Sequence, residues 1–279
     1  MTMKRKLINW LDQPGKRTLL ARLATRYARR KTGLDVELFF DEAWIHRSDD
    51  YFLAESSTFY WNADQLAQWK PQLDDVLDMH RDWWFFQHQV NPGDIIVDIG
   101  AGVGEDALLF SKQVGPQGRV VSVEAHPVTF RLLEKTCRLN HLAHNTTCVH
   151  GALMDKAGTV SIESRADGKS TIGTASGIDV PAFSLDELCA QQSIPHIDFL
   201  KINIEGAERF AIHGMDRMIA KTHALCIACH DFRGDEGDFY RTKRLVCDFI
   251  NANGFKIALR EQHSDPWVRD HVYGIRLTR

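Results

Sequence analysis

The segment IIVDIGAGVGED, residues 95–106, decides the fold of this chain. Its apolar first half, Ile95–Ile99, is broken only by Asp98 and predicts a buried strand, and the glycines from Gly100 onward predict a tight loop before a helix. A strand, a glycine loop and a helix form the first unit of a doubly wound α/β sheet, in which ligands bind at the carboxyl ends of the strands. We therefore expect the ligand site at this loop.

Apolar strands and amphipathic helices continue to alternate after this segment. The predicted strands cover residues 119–123, 147–150, 159–162, 178–183, 196–203, 224–229, 255–259 and 272–277, with helices at 106–112 and 127–140, from 184, from 207 and at 240–251. Such alternation is typical of a mostly parallel sheet covered on both faces. We predict an α/β domain over residues 91–279. Residues 1–90 are predicted to be a basic helix followed by an aromatic-rich helical cap. Within the cap, residues 34–90 are predicted to form helices and loops, including a helix from residue 58 or 62 to residue 88 that is interrupted near Pro71.

The composition argues against a fibrous, disordered or membrane-spanning chain. Hydrophobic residues make up 44% and charged residues 25%, which is ordinary for a globular protein, and no apolar stretch reaches the ~18 residues of a membrane span. The basic residues 4–6 are not followed by a signal-peptide core, so a cytoplasmic location is expected. The six cysteines are interpreted as reduced thiols, and Cys226 and Cys229 should point to opposite faces of a strand rather than share a metal.

The formal net charge of −3 hides a basic amino-terminal segment. Residues 1–31 hold ten Lys or Arg and one acid, which leaves −12 for the rest of the chain. Within residues 16–31, Leu20, Leu23, Ala24 and Tyr27 share one face of a predicted amphipathic helix. Such a helix could lie on an anionic membrane, touch nucleic acid, or pack on the acidic remainder of its own chain or of a second subunit. We favour the last interpretation, keep membrane contact open and expect no nucleic-acid partner.

Polar residues stand where the predicted parallel strands end. They are Asp98 and Gly100, Glu124, Asn203 and Glu205, and His230 and Asp231, at the ends of four strands. Because the carboxyl ends of parallel strands meet at one edge of a sheet, these residues are expected to describe one site.

The glycine loop is unsuited to a pyrophosphate. Glu105 stands where a dinucleotide loop has its third glycine, and Asp98 and Glu105 would both repel a phosphate. A ligand with a cationic amino-acid part and no phosphate fits better, and S-adenosylmethionine is such a ligand. Glu124 lies about 20 residues beyond the glycines, where a carboxylate accepts hydrogen bonds from ribose hydroxyls. NAD has the same ribose, so an NAD(P)-dependent oxidoreductase remains an alternative.

Several separated motifs resemble those of the FkbM family of S-adenosylmethionine-dependent methyltransferases. They are VDIGAGVGED, GRVVSVEAHP, LNHL, GALMDKAGTVSI, FSLDEL and LKINIEGAE, in this order between residues 91 and 230. The resemblance implies a class I methyltransferase (Rossmann-like) fold, with a seven-stranded sheet whose last strand is antiparallel, and methylation of hydroxyl groups on natural products or glycans. It implies that Asp98, Gly100 and Gly102 border the methionine part, Glu124 and Ala125 the ribose, and Gly151 and Ala152 the adenine. Ala101, Glu105, His126 and Asn203 complete the expected cofactor-binding set.

One position departs from the family pattern. Where the family typically has Lys-Ile-Asp-Val-Glu-Gly, residues 201–206 read Lys-Ile-Asn-Ile-Glu-Gly. Asn203 cannot act as a base and is a poorer ligand for a hard cation than aspartate. No metal is therefore predicted, although Glu205, His230 and Asp231 could together hold a divalent ion.

Methyl transfer from a sulfonium needs alignment of donor and acceptor and removal of the acceptor's proton. Glu205 and His230 are the candidate catalytic residues, His230 because its ordinary pKa of ~6.5 suits a base at neutral pH. Alternatively, His230 only hydrogen-bonds beside Asp231, and Glu205 caps the next helix. Residues 168–177, GKSTIGTASG, are a candidate substrate loop or an ordinary surface loop. The acceptor is expected to be a small molecule or a glycan, and a non-catalytic binding protein on the same fold remains an alternative.

Overall fold

The computed structural model describes residues 3–48, 51–61, 73–163 and 177–276. In this part of the chain, helices α1 to α9 are Met3–Leu11, Arg17–Thr32, Leu73–Trp84, Glu105–Val114, Pro127–Leu139, Leu185–Gln191, Glu208–Ala211, Lys243–Ala252 and Pro266–Arg269. Strands β1 to β13 are Glu37–Asp41, Ala43–Arg47, Phe52–Ser56, Ile95–Ile99, Arg119–Glu124, Thr146–His150, Ala152–Leu153, Gly158–Ile162, Ile178–Phe183, Ile197–Ile202, Thr222–Ala228, Phe255–Leu259 and His271–Arg276. None of the helices in the described ranges is long and apolar enough to cross a membrane.

The central sheet has seven strands in the order β12-β13-β11-β10-β4-β5-β6. Strands β11, β10, β4, β5 and β6 pair in parallel, whereas β13 runs antiparallel to both β11 and β12. This arrangement confirms the predicted doubly wound α/β fold and the antiparallel last strand of a class I methyltransferase sheet. The order reverses at β4, which places the glycine loop after β4 at the switch point where such sheets bind ligands.

Both faces of the sheet are buried, as its near-continuous apolar strands require. Within β4, Val97 and Ile99 join one apolar cluster while Ile96 joins the other. Cys226 and Cys229 likewise lie in different clusters, so the prediction that they point to opposite faces is confirmed, and all six cysteines are free thiols. A smaller sheet, β7-β9-β8, contains the predicted extended pair of residues 159–162 and 178–183 as antiparallel β8 and β9.

The amino-terminal region combines the predicted basic helix with an unpredicted sheet. Helix α2 confirms the helix predicted within residues 16–31. Helix α3 confirms part of the helix predicted to end near residue 88. Residues 62–72, including Pro71, lie outside the described residues. The prediction of helices and loops is wrong for residues 37–56, which form an antiparallel sheet of β1, β2 and β3. The physical reason is that aromatic residues stabilise strands that pack on a neighbouring surface, here around the fully buried Trp44.

Strand β3 obtains hydrogen bonds from side chains on α5 and just after its end. The Phe52 backbone N–H donates to Asn140 Oδ1 (3.0 Å), and Asn140 Nδ2 donates to the Phe52 carbonyl (2.7 Å). The Ala54 N–H donates to Thr136 Oγ1 (3.1 Å) on α5. Polar side chains at the carboxyl end of α5 thus satisfy part of the edge of the small sheet and hold that sheet against α5.

Candidate active site

A cleft opens at the carboxyl edge of β4, β5 and β10, where the sequence places the site. The lining residues are Ile99, Gly100, Val123, Glu124, Ala125, His126, Gly151, Ala152, Leu153, Ile162, Asn203, Ile204, Glu205 and Ala207. Seven residues predicted for the cofactor are therefore brought together: Gly100, Glu124, Ala125, His126, Gly151, Ala152 and Asn203.

Gly100 allows the ends of β4 and β10 to meet beside the cleft. A Cβ atom at this position would lie 1.9 Å from the Asn203 carbonyl oxygen, and Gly100 has a φ of +78°. No side chain fits that space, and L-residues rarely adopt that backbone conformation. The glycine is therefore required by close packing of two strand ends, which brings Asn203 to the wall of the cleft.

Glu124 ends β5 and is held by two backbone donors. The Gly102 N–H donates to Oε2 (3.0 Å) and the His126 N–H to Oε1 (2.8 Å). Burial raises the pKa of Glu124 to about 7, although the two N–H donors act in the opposite direction. A carboxylate has about four acceptor positions, so Glu124 can accept further hydrogen bonds from a ligand in the cleft.

Four residues predicted for the cofactor do not line the cleft: Asp98, Ala101, Gly102 and Glu105. Asp98 is fully buried and forms an ion pair with Lys201, whose Nζ lies 2.9 Å from Oδ1. Gly102 acts through its N–H on Glu124, and Glu105 lies beside His80, with Oε2 3.9 Å from Nε2. In this geometry Asp98 balances a buried ammonium of the protein itself rather than facing a ligand.

Lys201 was missed as a site residue by the sequence analysis. Its side chain is 1% exposed, donates to the Gly100 carbonyl (2.7 Å) and lies 3.4 Å from Asp106 Oδ2 as well as beside Asp98. Asp106 Oδ1 in turn contacts His80 Nδ1 (2.7 Å) and accepts from Trp84 Nε1 (2.6 Å). The network ties the glycine loop, β10 and α3 together. A lysine within the apolar run of residues 197–202 was the available signal, because buried lysines are almost always paired.

Glu205 lies on the cleft wall at the turn after β10, in the left-handed region with a φ of +54°. One carboxylate oxygen lies 3.2 Å from His230 Nε2, and the other accepts from Arg233 Nη1. Burial acts to raise the pKa of Glu205, but His230 and Arg233 outweigh it and leave the pKa below its ordinary value. Glu205 is thus a fixed, ionised acceptor facing the cleft. It does not cap α7, whose N-cap residue makes no side-chain cap.

His230 differs from the expectation of an ordinary pKa. It is 1% exposed and lies between Glu205 and Glu208, with Nδ1 3.7 Å from Glu208 Oε1. Burial acts to lower the pKa of His230, but the two carboxylates raise it to about 9. In this arrangement His230 therefore carries its proton at neutral pH, and it does not line the cleft.

Asp231 is used by the fold rather than by the cleft. Its Oδ2 accepts from the backbone N–H groups of Thr242 and Lys243, both at 2.9 Å, at the start of α8. Within the described ranges, no group of three or more His, Cys, Asp or Glu side chains is arranged to hold a metal ion. The candidate substrate loop, residues 168–177, lies outside the described residues except for Gly177.

The raised pKa of His230 predicts a pH-dependent contribution to stability. Because the pKa rises from 6.5 to about 9 on folding, the ion pairs of His230 stabilise the fold fully below about pH 6.5, and this contribution is lost as the pH rises through 9. We expect His230→Gln to cost about 3 kcal/mol more at pH 6 than at pH 10 in urea denaturation. The exposed His144→Gln should show no such difference, and a pH-independent cost for His230→Gln would contradict the assignment.

Comparison with known proteins assigns the family. The family model of the methyltransferase FkbM domain matches residues 98–257, which is more than half of the chain. The matched range begins at Asp98 and includes the whole cleft lining from Ile99 to Ala207.

Two curated relatives are similar over part of their length. Hexuronic acid methyltransferase AglP of Haloferax volcanii is 25% identical over 142 residues, covering 49% of this chain and 56% of the relative. Methyltransferase sdnD of Sordaria araneosa is 26% identical over 156 residues, covering 43% of this chain and 60% of the relative. The chain thus spans somewhat more than half the length of these relatives.

Solved structures of methyltransferases are similar at low sequence identity. Aeropyrum pernix fibrillarin with natively bound S-adenosyl-L-methionine has a TM-score of 0.44 and 17% identity, covering 72% of this chain and 74% of the other. Precorrin-6y C5,15-methyltransferase of Geobacter metallireducens has a TM-score of 0.43 and 14% identity, covering 80% and 92%.

Proposed function

This chain belongs to the methyltransferase FkbM family, and from this premise we propose that it transfers a methyl group from S-adenosylmethionine to a hydroxyl group of a small molecule, natural product or glycan. The observation that carries the proposal is the set of hydrogen-bond acceptors in the cleft. Glu124, Asn203 and Glu205 line it, and the described lining residues include no Lys or Arg. A ligand that donates through hydroxyl and ammonium groups suits such a cleft, whereas a pyrophosphate would find no cationic side chain to bind it.

The polar groups of the cleft fit this cofactor. We assign the ribose hydroxyls to Glu124, which keeps acceptor positions beyond its two backbone donors. The Oδ1 atom of Asn203 is buried and has no hydrogen-bond partner among the described residues. A buried acceptor without a partner is costly, so a ligand donor such as an ammonium or a hydroxyl would stabilise it.

Glu205 is the residue that we propose as the base for the acceptor's hydroxyl proton. When bound, S-adenosylmethionine supplies a methyl group activated by its sulfonium. Glu205 would accept the hydroxyl proton as the acceptor oxygen bonds to the methyl carbon and the S–CH₃ bond breaks, with S-adenosylhomocysteine as the leaving group, so its carboxylate would act as the general base. His230 and Arg233 position this carboxylate and keep it ionised, which makes them positioning residues rather than catalytic ones.

The acceptor class is supported by a relative rather than by the cleft itself. The Haloferax volcanii protein is named a hexuronic acid methyltransferase, and about half of its length is covered by this chain. We propose a sugar-like acceptor, which offers hydroxyl groups to the base at Glu205. No metal is included in the proposal, because Asp231 is occupied at the start of α8.

Calorimetric titration with S-adenosylhomocysteine tests the cofactor. We expect micromolar binding, a loss of affinity of about 10- to 100-fold in Glu124→Ala from the lost charged hydrogen bonds, and no binding of NADH. The matched control is Glu134→Ala, which removes an exposed carboxylate on α5. This variant should bind S-adenosylhomocysteine like the unaltered protein. Binding of NADH instead, or equal affinity in Glu124→Ala, would overturn the proposed cofactor site.

A further inference from the structure

Helices α1 and α2 carry a second apolar face that is largely exposed, although Lys16 Nζ lies over the Trp10 ring, 3.8 Å from its centroid. Each packs one side on the amino-terminal apolar cluster, through Ile8 and Leu11 on α1 and through Leu20, Ala21, Ala24 and Ala28 on α2. Of the twelve large hydrophobic side chains exposed in the described ranges, six lie on these two helices: Met3, Leu7, Trp10, Leu19, Leu23 and Tyr27. Half of the exposed apolar side chains are thus concentrated in 25 residues of sequence.

The exposed residues follow helical spacing. On α2, Leu19, Leu23 and Tyr27 recur every four residues and are 53%, 50% and 40% exposed. On α1, Met3, Leu7 and Trp10 recur at intervals of four and three residues. Residues at these intervals share one helix face, so each helix presents an apolar stripe to solvent. The predicted single apolar face of α2 is divided: Leu20 and Ala24 face the protein, whereas Leu23 and Tyr27 face away.

Basic side chains flank the exposed stripe of α2. Arg22, Arg26 and Arg30 recur at the same interval of four, are exposed, and form no ion pair with another described residue. With Arg29, which pairs with Asp35, they line a groove between α2 and β1. The groove also contains Glu37, which pairs with Arg47. Residues 3–31 hold ten basic residues and one acid, Asp12, which is used internally by Arg17 and by the Trp44 indole.

We propose that α1 and α2 form a docking surface for an anionic lipid bilayer. An apolar stripe beside a row of arginines is the pattern of helices that lie in a membrane interface, where the apolar residues enter the acyl boundary and the cations contact lipid phosphates. Nucleic acid would use the arginines but leave six large apolar side chains exposed. A second copy of this chain that docked through the same face would bring together two surfaces of the same positive charge, which repel each other.

Sedimentation of the full chain with lipid vesicles tests the surface. We expect binding to vesicles of phosphatidylcholine and phosphatidylglycerol (3:1), and at least tenfold weaker binding to phosphatidylcholine alone. Replacing Arg22, Arg26 and Arg30 with Gln should weaken binding on the order of 100-fold, since each cation near an anionic bilayer raises the binding constant by a factor of about 5. The apolar variant Leu19→Ser/Leu23→Ser should also lose binding. These side chains are exposed, so both variants should fold normally by circular dichroism.

The matched control is the exposed pair on α8, Arg244→Gln/Leu245→Ser, which should bind vesicles like the unaltered protein. Equal binding to neutral and anionic vesicles, or unchanged binding in both α2 variants, would overturn the proposal. An absence of vesicle binding would also overturn it. In that case, a dimer in analytical ultracentrifugation that the apolar variant dissociates would assign the surface to a second copy, and DNA or RNA binding that the arginine variant abolishes would assign it to nucleic acid. None of these outcomes depends on methyl transfer.

Discussion

Replacing Lys201 with Met is expected to lower the free energy of unfolding by about 3–5 kcal/mol at pH 7.5, the usual cost of removing one partner from a buried ion pair. Lys201 is 1% exposed and lies beside the carboxylates of Asp98 and Asp106, which keep the pKa of its ammonium above the ordinary value despite burial. Burial raises the pKa of Asp98 to about 6 even with this ammonium present. Without it, a fully buried carboxylate would have to bind a proton or ionise unpaired.

The cost of Lys201→Met should therefore depend on pH. A carboxyl group whose pKa is raised on folding destabilises the fold as the pH rises, so the cost should be smaller at pH 5 than at pH 8 in urea denaturation. The double variant Asp98→Asn/Lys201→Met removes the unpaired charge and should recover part of the stability. The control is Lys112→Met on α4, which removes a solvent-exposed ion pair with Asp74 and should cost far less than Lys201→Met. Equal costs for Lys112→Met and Lys201→Met would refute the role of the buried network.

The central sheet was predictable because the sequence patterns that specify it lie within each strand and helix. Each strand is an apolar run, each crossover is an amphipathic helix, and the polar residues at the strand ends are adjacent to those runs in sequence. Glu124 and Asn203 were therefore placed on the cleft without knowledge of the sheet order. The small sheet of β1 to β3 was not predictable in this way, because its edge is satisfied by Thr136 and Asn140, more than 80 residues away.

The ion pair of Asp98 with Lys201 could not be predicted from the position of Asp98 before the glycine loop alone. Lys201 lies opposite Asp98 in the register of β10 and β4, a pairing between residues that are 103 positions apart. A cationic ligand and a cationic side chain satisfy the same carboxylate, and only the register decides which is present. The pKa of His230 depends similarly on the turn at Glu205 and Gly206, which brings Glu205 and Glu208 to the imidazole from another strand end.

Replacing Glu205 with Gln should lower kcat by about 10²- to 10⁴-fold, the usual contribution of a general base, while leaving the affinity for S-adenosylhomocysteine within a few-fold. Glutamine has the same shape as glutamate but cannot accept the proton of the acceptor. Because His230 and Arg233 hold the pKa of Glu205 below its ordinary value of 4.5, the base stays ionised down to that pH. In the unaltered protein, protonation of Glu205 should therefore lower kcat only below pH 4.5. Radiolabelled methyl transfer to the best acceptor in a panel of hexuronic acids, hexoses and phenols measures both effects.

Glu208→Gln separates a base at Glu205 from an indirect effect through His230. Glu208 also contacts His230, is buried, and does not line the cleft, so its replacement lowers the pKa of His230 without removing the carboxylate that faces the acceptor. If Glu205 is the base, Glu208→Gln should keep kcat within about tenfold, since only the positioning of Glu205 is altered. Equal losses in the two variants would instead assign the effect to His230 and its charge, and a Glu205→Gln variant with unchanged kcat would remove Glu205 from the reaction.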